Sequence, residues 1–474
     1  MPLPTAVAPV TSTKHGRDGL LTMTKLLVRN ALLLTLEPGS DAPFTGWMQV
    51  GDDGRISAIG SGEPPPVDED TELLDVGGAF VAPGFVSAHS HLFTSGSRGL
   101  GMDQSLYGWI EAMVRYTKRA EPEDMYWLTL HGALDFLANG ITTAFDFTAG
   151  RLDFEADHPQ DGGFGGTLRP PELVDVQIDA KIDAGLRFVN SVMLDDAVGS
   201  RDEVMGRLDH ALAHAATHAD NPLFLRSAIS GAVQWAADRS TAELEVEAME
   251  RHGLLNQPHF LESPLQPEDQ QAKFAWYRDA GALGPDLIFG HFIQTTDEII
   301  VDAASHGCGM VWQPASNGRL ASGVANVPRC RELGMRIGVG LDDQACTDVS
   351  DPWGNMRIGL CLQRATHQDP AVLGVKEMLE LHTMGGATVL GVQDQVGSLA
   401  VGKLADFLVV DPLHPDTGPV WDAYGTYVLA CSLRNLKQVW VGGELVSKDG
   451  EMITSLAAES SKEIHARLAR IAAA

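Results

Sequence analysis

Gly84-Phe85-Val86-Ser87-Ala88-His89-Ser90-His91 is an apolar, extended run, opened by Ala82-Pro83 and closed by two histidines one residue apart. Residues i and i+2 of a strand point to the same side. His89 and His91 therefore face one way, with ring nitrogens free to converge on one ion. In a chain with 16 histidines a His-x-His pair arises readily by chance. It gains meaning only if other strands also end in residues that bind metals.

Beyond His91 the sequence alternates. Apolar strand-like runs end near His91, Phe147, Met193, Ser230, Leu261, Gly290, Pro314 and Asp342. Helix-like stretches lie between them. Glu121-Pro122-Glu123-Asp124 opens one, with acids in its first turn, and Gly140 stops it. Others run from Asp202 to His218, Thr241 to Arg251, Pro267 to Ala280 and Thr296 to His306. Eight strands alternating with helices over roughly 300 residues is the count and size of an α/β fold of the (β/α)8 TIM-barrel type. It is expected over residues 81–394. An open doubly wound sheet is the alternative, but no Gly-rich phosphate turn follows the first strand.

The flanks read differently. Residues 25–80 show short strands and hairpin turns such as Gly51-Asp52-Asp53-Gly54, and the same texture returns in 395–455. The two together are expected to build one small β-sandwich domain from both chain ends, followed by a C-terminal helix over 456–474. Residues 1–24 read as an extension with little structure, because Met23-Thr24-Lys25 looks like a more natural start. Thr148 to Pro171, with Asp161-Gly162-Gly163-Phe164-Gly165-Gly166, is too long for an ordinary strand-to-helix connection. It reads as a lid, an oligomer contact or a tolerated surface insertion.

Composition narrows the partners. With 63 acidic against 34 basic residues the net charge is -29, which repels nucleic acid and anionic membranes. No apolar run reaches the roughly 20 residues of a membrane span. Five cysteines without a Cys-x-x-Cys pair suit a reducing cytoplasm. A small-molecule substrate and a homo-oligomeric assembly are expected.

In a barrel the chemistry sits at the C-terminal ends of the strands. There the first strand offers His89 and His91, the fifth His259 and Glu262, the sixth His291, and the eighth Asp342 and Asp343. Imidazoles with a carboxylate suit a divalent transition ion that keeps a position for water. Such an ion lowers the pKa of the water toward neutrality. Asp343 points away from Asp342 and reads as a supporting group.

These pieces carry a resemblance. Pro83-Gly84-Phe85 through His91, Arg98-Gly99-Leu100 and Asn139-Gly140-Ile141-Thr142-Thr143 resemble the amidohydrolase superfamily. So do His259-x-x-Glu262, His291, Pro314-Ala315-Ser316-Asn317, Asp342 and the run Gly397 to Asp406. The likeness is to its mononuclear branch of deaminases and triazine chlorohydrolases. It implies His89, His91, His259 and Asp342 as metal ligands, Glu262 as proton shuttle, and His291 as the group that orients water or polarises the substrate. Asp342 would also act as base. The fourth strand, Leu223 to Ser230, has no lysine to bridge a second ion. One divalent metal per chain follows, zinc by default, with cobalt, iron and manganese as alternatives.

Departures from that pattern bear on the substrate. Ser230-Gly231-Ala232-Val233-Gln234-Trp235 and Trp312-Gln313-Pro314 stand where relatives often carry histidines, and Gln257 stands where many have a second histidine. Met102, Trp109, Trp235, Trp312 and Gln313 are expected to line the substrate pocket. An apolar, aromatic wall favours C–N bond hydrolysis in a neutral lipophilic molecule such as a thiocarbamate, carbamate or N-aryl urea, resembling the molinate and phenylurea hydrolases. The alternative is an aminohydrolase acting on a nitrogen heterocycle such as an s-triazine, purine or pyrimidine.

Overall fold

The computed structural model describes residues 25–39, 42–150, 168–194 and 196–473. The expected N-terminal extension and most of the 148–171 insertion lie outside the described residues.

Parallel strands alternate with helices to form the barrel. The first four strands are Phe85–His91, Ile141–Thr148, Arg187–Met193 and Phe224–Ser230. The sixth and seventh are Ile288–His291 and Gly309–Trp312. The fifth and eighth are each broken in two. Leu255–Asn256 pairs with the fourth strand, whereas His259–Phe260 pairs with the sixth. Arg336–Val339 pairs with the seventh, whereas Asp342–Asp343 pairs with the first. These two breaks carry the ring from one sheet to the other. Pro258 occupies the first break, where a residue without an N–H is tolerated. Gly340 occupies the second. A Cβ there would stand 2.7 Å from both the Cβ and the carbonyl oxygen of His89, so only glycine lets the eighth strand approach the first.

Strand alternation sorts the side chains. Val86, Ala88, Phe145, Val189, Ile288 and Val311 fill the barrel interior. Phe85, Met310, Trp312 and Val339 face the surrounding helices. Pro122–Ala138 starts on a Glu121 cap whose N–H bonds to the Asp124 side chain, and the chain leaves it through Gly140 at φ 88°.

Both chain ends meet in one nine-stranded β domain. Phe80–Pro83 pairs antiparallel with Phe407–Val410, joining the N-terminal strands to the C-terminal ones. The strand at 80–83 thus belongs to the β domain a few residues past the boundary expected from sequence. Helix Leu456–Ala473 packs on the barrel, where Arg467 reaches Glu123 at 2.7 Å and Asp124 at 3.0 Å.

Candidate metal centre and pocket

The C-terminal strand ends bring six of the expected residues together. His91 Nε2 lies 3.1 Å from His259 Nε2. His89 Nε2 lies 3.4 Å and His91 Nε2 3.6 Å from Asp342 Oδ1. His291 Nε2 lies 3.6 Å from Glu262 Oε2. All six are buried or nearly so. His291 and Asp342 adopt left-handed backbone conformations, φ 67° and 65°, which ordinary residues rarely hold outside sites that over-determine them.

The hydrogen bonds behind these residues set their tautomers. Gln257 Nε2 donates to the Ala88 carbonyl (3.0 Å), so its Oε1 is left to accept from His89 Nδ1 (2.6 Å). The His89 Nε2 lone pair then faces the cavity. Asn317 Nδ2 donates to His291 Nδ1 (2.9 Å), which puts the His291 proton on Nε2. Gln313 Oε1 accepts the His291 backbone N–H at 3.1 Å. Ser316 Oγ donates to Asp342 Oδ2 at 2.5 Å and leaves Oδ1 turned to the histidines.

These donors fit a divalent ion. His89 Nε2 is buried without a hydrogen-bond partner, its lone pair opposite a carboxylate oxygen. The two Nε2 atoms of His91 and His259 also face each other. Ring nitrogens this close must share a proton or repel as lone pairs, and one cation among them would give each a partner. Donor atoms of His89, His91 and His259 all lie within 4.8 Å of one another, as do those of His89, His291 and Asp342. Burial pushes the His91 and His291 imidazoles down to about 3 and His259 well below its ordinary value. The rings are therefore neutral and available as ligands at physiological pH. Burial, with the charges of Asp342 and Asp343, pushes the Glu262 carboxyl well above the usual range. Burial thus favours the acid form of Glu262, and its Oε2 has no hydrogen-bond partner.

In front of the centre lies a cavity with about 1080 Å³ of non-atom space, its mouth included. Its wall is mostly apolar. Leu106, Trp109, Ile110 and Met113 stand at i, i+3, i+4 and i+7 on helix Leu106–Thr117 and turn one face to it. Phe93, Phe147 and Trp235 complete the aromatic part, with Phe147 stacked on His91 at 4.6 Å. Trp109 Nε1 donates to the Ala345 carbonyl at 3.3 Å, tying this helix to the segment after the eighth strand. Among the described lining residues there is no lysine or arginine.

Three of the five expected pocket residues stand elsewhere. Met102 is 70% exposed, on a turn between Gly101 and Asp103, both at positive φ. Trp312 is buried away from the cavity, because it shares strand phase with Met310 and packs against Gly359 of helix Pro352–His367. Gln313 is buried behind His291, whose backbone it holds. Trp109 and Trp235 do line the cavity. The reading from sequence passed over Phe93, Phe147 and the supporting roles of Gln257, Ser316 and Asn317. The helical spacing of Leu106 to Met113 was a visible signal for that wall; the partners in the hydrogen bonds were not visible, since each bond joins segments far apart in sequence.

A 5-methylthioadenosine/S-adenosylhomocysteine deaminase of Syntrophobacter fumaroxidans is 27% identical over 440 residues, covering 90% of this chain and 94% of that protein. A zinc-bound adenosine deaminase structure from Xanthomonas campestris superposes with a TM-score of 0.80 at 21% identity, over 95% of this chain and 99% of the other. The zinc complex of an atrazine chlorohydrolase from Arthrobacter aurescens gives 0.77 at 19% identity, over 93% and 100%. Matched by the family's sequence profile from residue 80 to residue 446, the chain belongs to the amidohydrolase family.

Proposed function

We propose that this amidohydrolase is an aminohydrolase, which replaces an amino group by oxygen on a nitrogen heterocycle carrying an apolar substituent. One observation carries the reading. The Glu262 carboxyl, whose acid form burial favours, and the His291 Nε2–H stand 3.6 Å apart and face the same aromatic-walled cavity as the His91, His259 and Asp342 donors.

His89, His91, His259 and Asp342 would hold a divalent ion, with zinc the choice because two structural neighbours contain it, and such an ion would supply a water of lowered pKa. The chain's own groups do the rest. Ser316 holds Asp342 so that Oδ1 can take the proton of the attacking water. Glu262, whose acid form burial favours, gives its proton to the ring nitrogen and then helps return one to the departing amine. An amine leaves poorly as its anion. His291 donates from Nε2 to the oxygen that develops charge on the attacked carbon. Trp109, Trp235 and Phe147 exclude water and take up the apolar part of the substrate.

The names of the relatives support the heterocycle reading over hydrolysis of a carbamate or urea. The apolar wall favours that second reading, because few polar groups are placed to read a base edge. A substrate panel on zinc-loaded enzyme separates the two, with products identified by mass spectrometry. It would set 5′-substituted adenosines and aminotriazines against thiocarbamates and N-aryl ureas. Ammonia release, with a ring amino group exchanged for oxygen, is the expected result. Release of a secondary or aryl amine with loss of the carbonyl carbon would overturn it.

A further inference from the structure

Away from the pocket, two helices on the barrel flank hold a second group of metal-binding side chains. Asp175 and Asp179 stand one turn apart on helix Glu172–Ala184. His210 and His214 stand one turn apart on helix Arg201–Ala216, and His218 follows another turn on. Residues four apart share a helix face, and the two faces meet. His214 Nε2 lies 2.9 Å and His218 Nε2 3.0 Å from the same oxygen, Asp179 Oδ1.

We propose that His214, His218 and Asp179 form a second divalent transition-metal site, separate from the catalytic centre. Donors about 2.1 Å from one tetrahedral ion stand roughly 3.4 Å apart, so the two contacts to Asp179 need open only slightly to admit an ion, and the three donor atoms already lie within 4.8 Å of one another. Two imidazoles and a carboxylate select zinc, nickel, cobalt or copper over calcium or magnesium. A second carboxylate stands nearby. The other ring nitrogen of His214 faces Asp175 Oδ2 at 3.9 Å, and His210 Nε2 holds that same oxygen at 2.8 Å. The side chains of His214, His218 and Asp179 are 26%, 23% and 43% exposed, so an ion can enter from solvent and keep waters. Ion pairing alone would leave both rings donating to one oxygen and bring no metal with it. The two helices flank the third strand, whose end supplies Met193 and, just beyond it, Asp196 to the pocket wall. A bound ion would therefore staple the scaffold beside the pocket without touching the reacting atoms.

The test is a calorimetric titration of zinc into enzyme whose catalytic site is already zinc-loaded, at neutral pH. One further equivalent is expected in the native protein. His214→Gln/His218→Gln should lose it, and Asp179→Asn should weaken it by roughly tenfold or more. Turnover and the first equivalent should be retained in both variants, and thermal melts in chelator check that they fold. Zinc should raise the melting temperature of the loaded native enzyme and not that of the double variant. No further equivalent in the native protein, or the same binding in the double variant, would overturn the site.

Discussion

Gln257 stands in the break of the fifth strand, and its amide fixes the tautomer of His89. Because its nitrogen is committed to the Ala88 carbonyl, its oxygen must take the His89 Nδ1 proton, which frees Nε2 to bind metal. Asn317 performs the complementary task for His291 and leaves its Nε2 a donor. Glu262 is the residue proposed to carry the proton in turnover. Glu262→Gln keeps the shape and removes the transferable proton. It should lower kcat by about 10²–10⁴-fold and leave the bound metal near one equivalent, as read by steady-state kinetics and elemental analysis. Activity that survives the exchange would remove Glu262 from the proton-transfer role.

At the scale of elements, the breaks in the fifth and eighth strands shape the site. Each break releases the chain from one neighbour just before a residue proposed to bind metal, His259 in one case and Asp342 in the other. Gly340 lies in contact with the His89 backbone, while Gly290 leaves room for the His89 ring, 3.1 Å from where its Cβ would be. Gly340→Ala should push the eighth strand from the first and cost roughly 1–3 kcal/mol. Denaturant unfolding reads the stability, and metal content after dialysis reads the displacement of His89. An unchanged midpoint with full metal retention would show that the strand pair yields at no cost.

Across the whole molecule, the β domain and the barrel are joined by a buried ion pair. Arg187, at the start of the third strand, donates Nε and Nη2 to the two oxygens of Asp406 at 2.6 and 2.9 Å. The Gly442 N–H adds a third bond to the same carboxylate. Asp406→Ala leaves the Arg187 charge buried beside Pro222 without its partner, a change that typically costs about 3–5 kcal/mol. A markedly lower melting temperature is expected, with metal content unchanged, because the pair lies at the opposite end of the third strand from the metal site. A melting temperature equal to that of the native protein would mean that the two domains are held by their apolar contacts alone.

Periodicity and residue type by themselves make the barrel, the two-ended β domain and the candidate ligand strands legible in the sequence. Apolar alternation sets strand phase and caps set helix ends, and both are local properties of the chain. The strand ends at His91, Met193 and Ser230 and the helix opened by Pro122 needed nothing more. Which side of a strand faced the cavity was not local. Trp312 and Gln313 sit beside the site in sequence, yet one packs on a helix and the other lies behind His291. Met102 was read as wall and projects into solvent, because the positive-φ residues on either side of it turn the chain away there. The tautomers of His89 and His291, the raised pKa of Glu262 and the apolar cavity wall arise only when separate strands close into a ring. Each depends on burial and on partners far away in sequence, and those exist only in the folded chain.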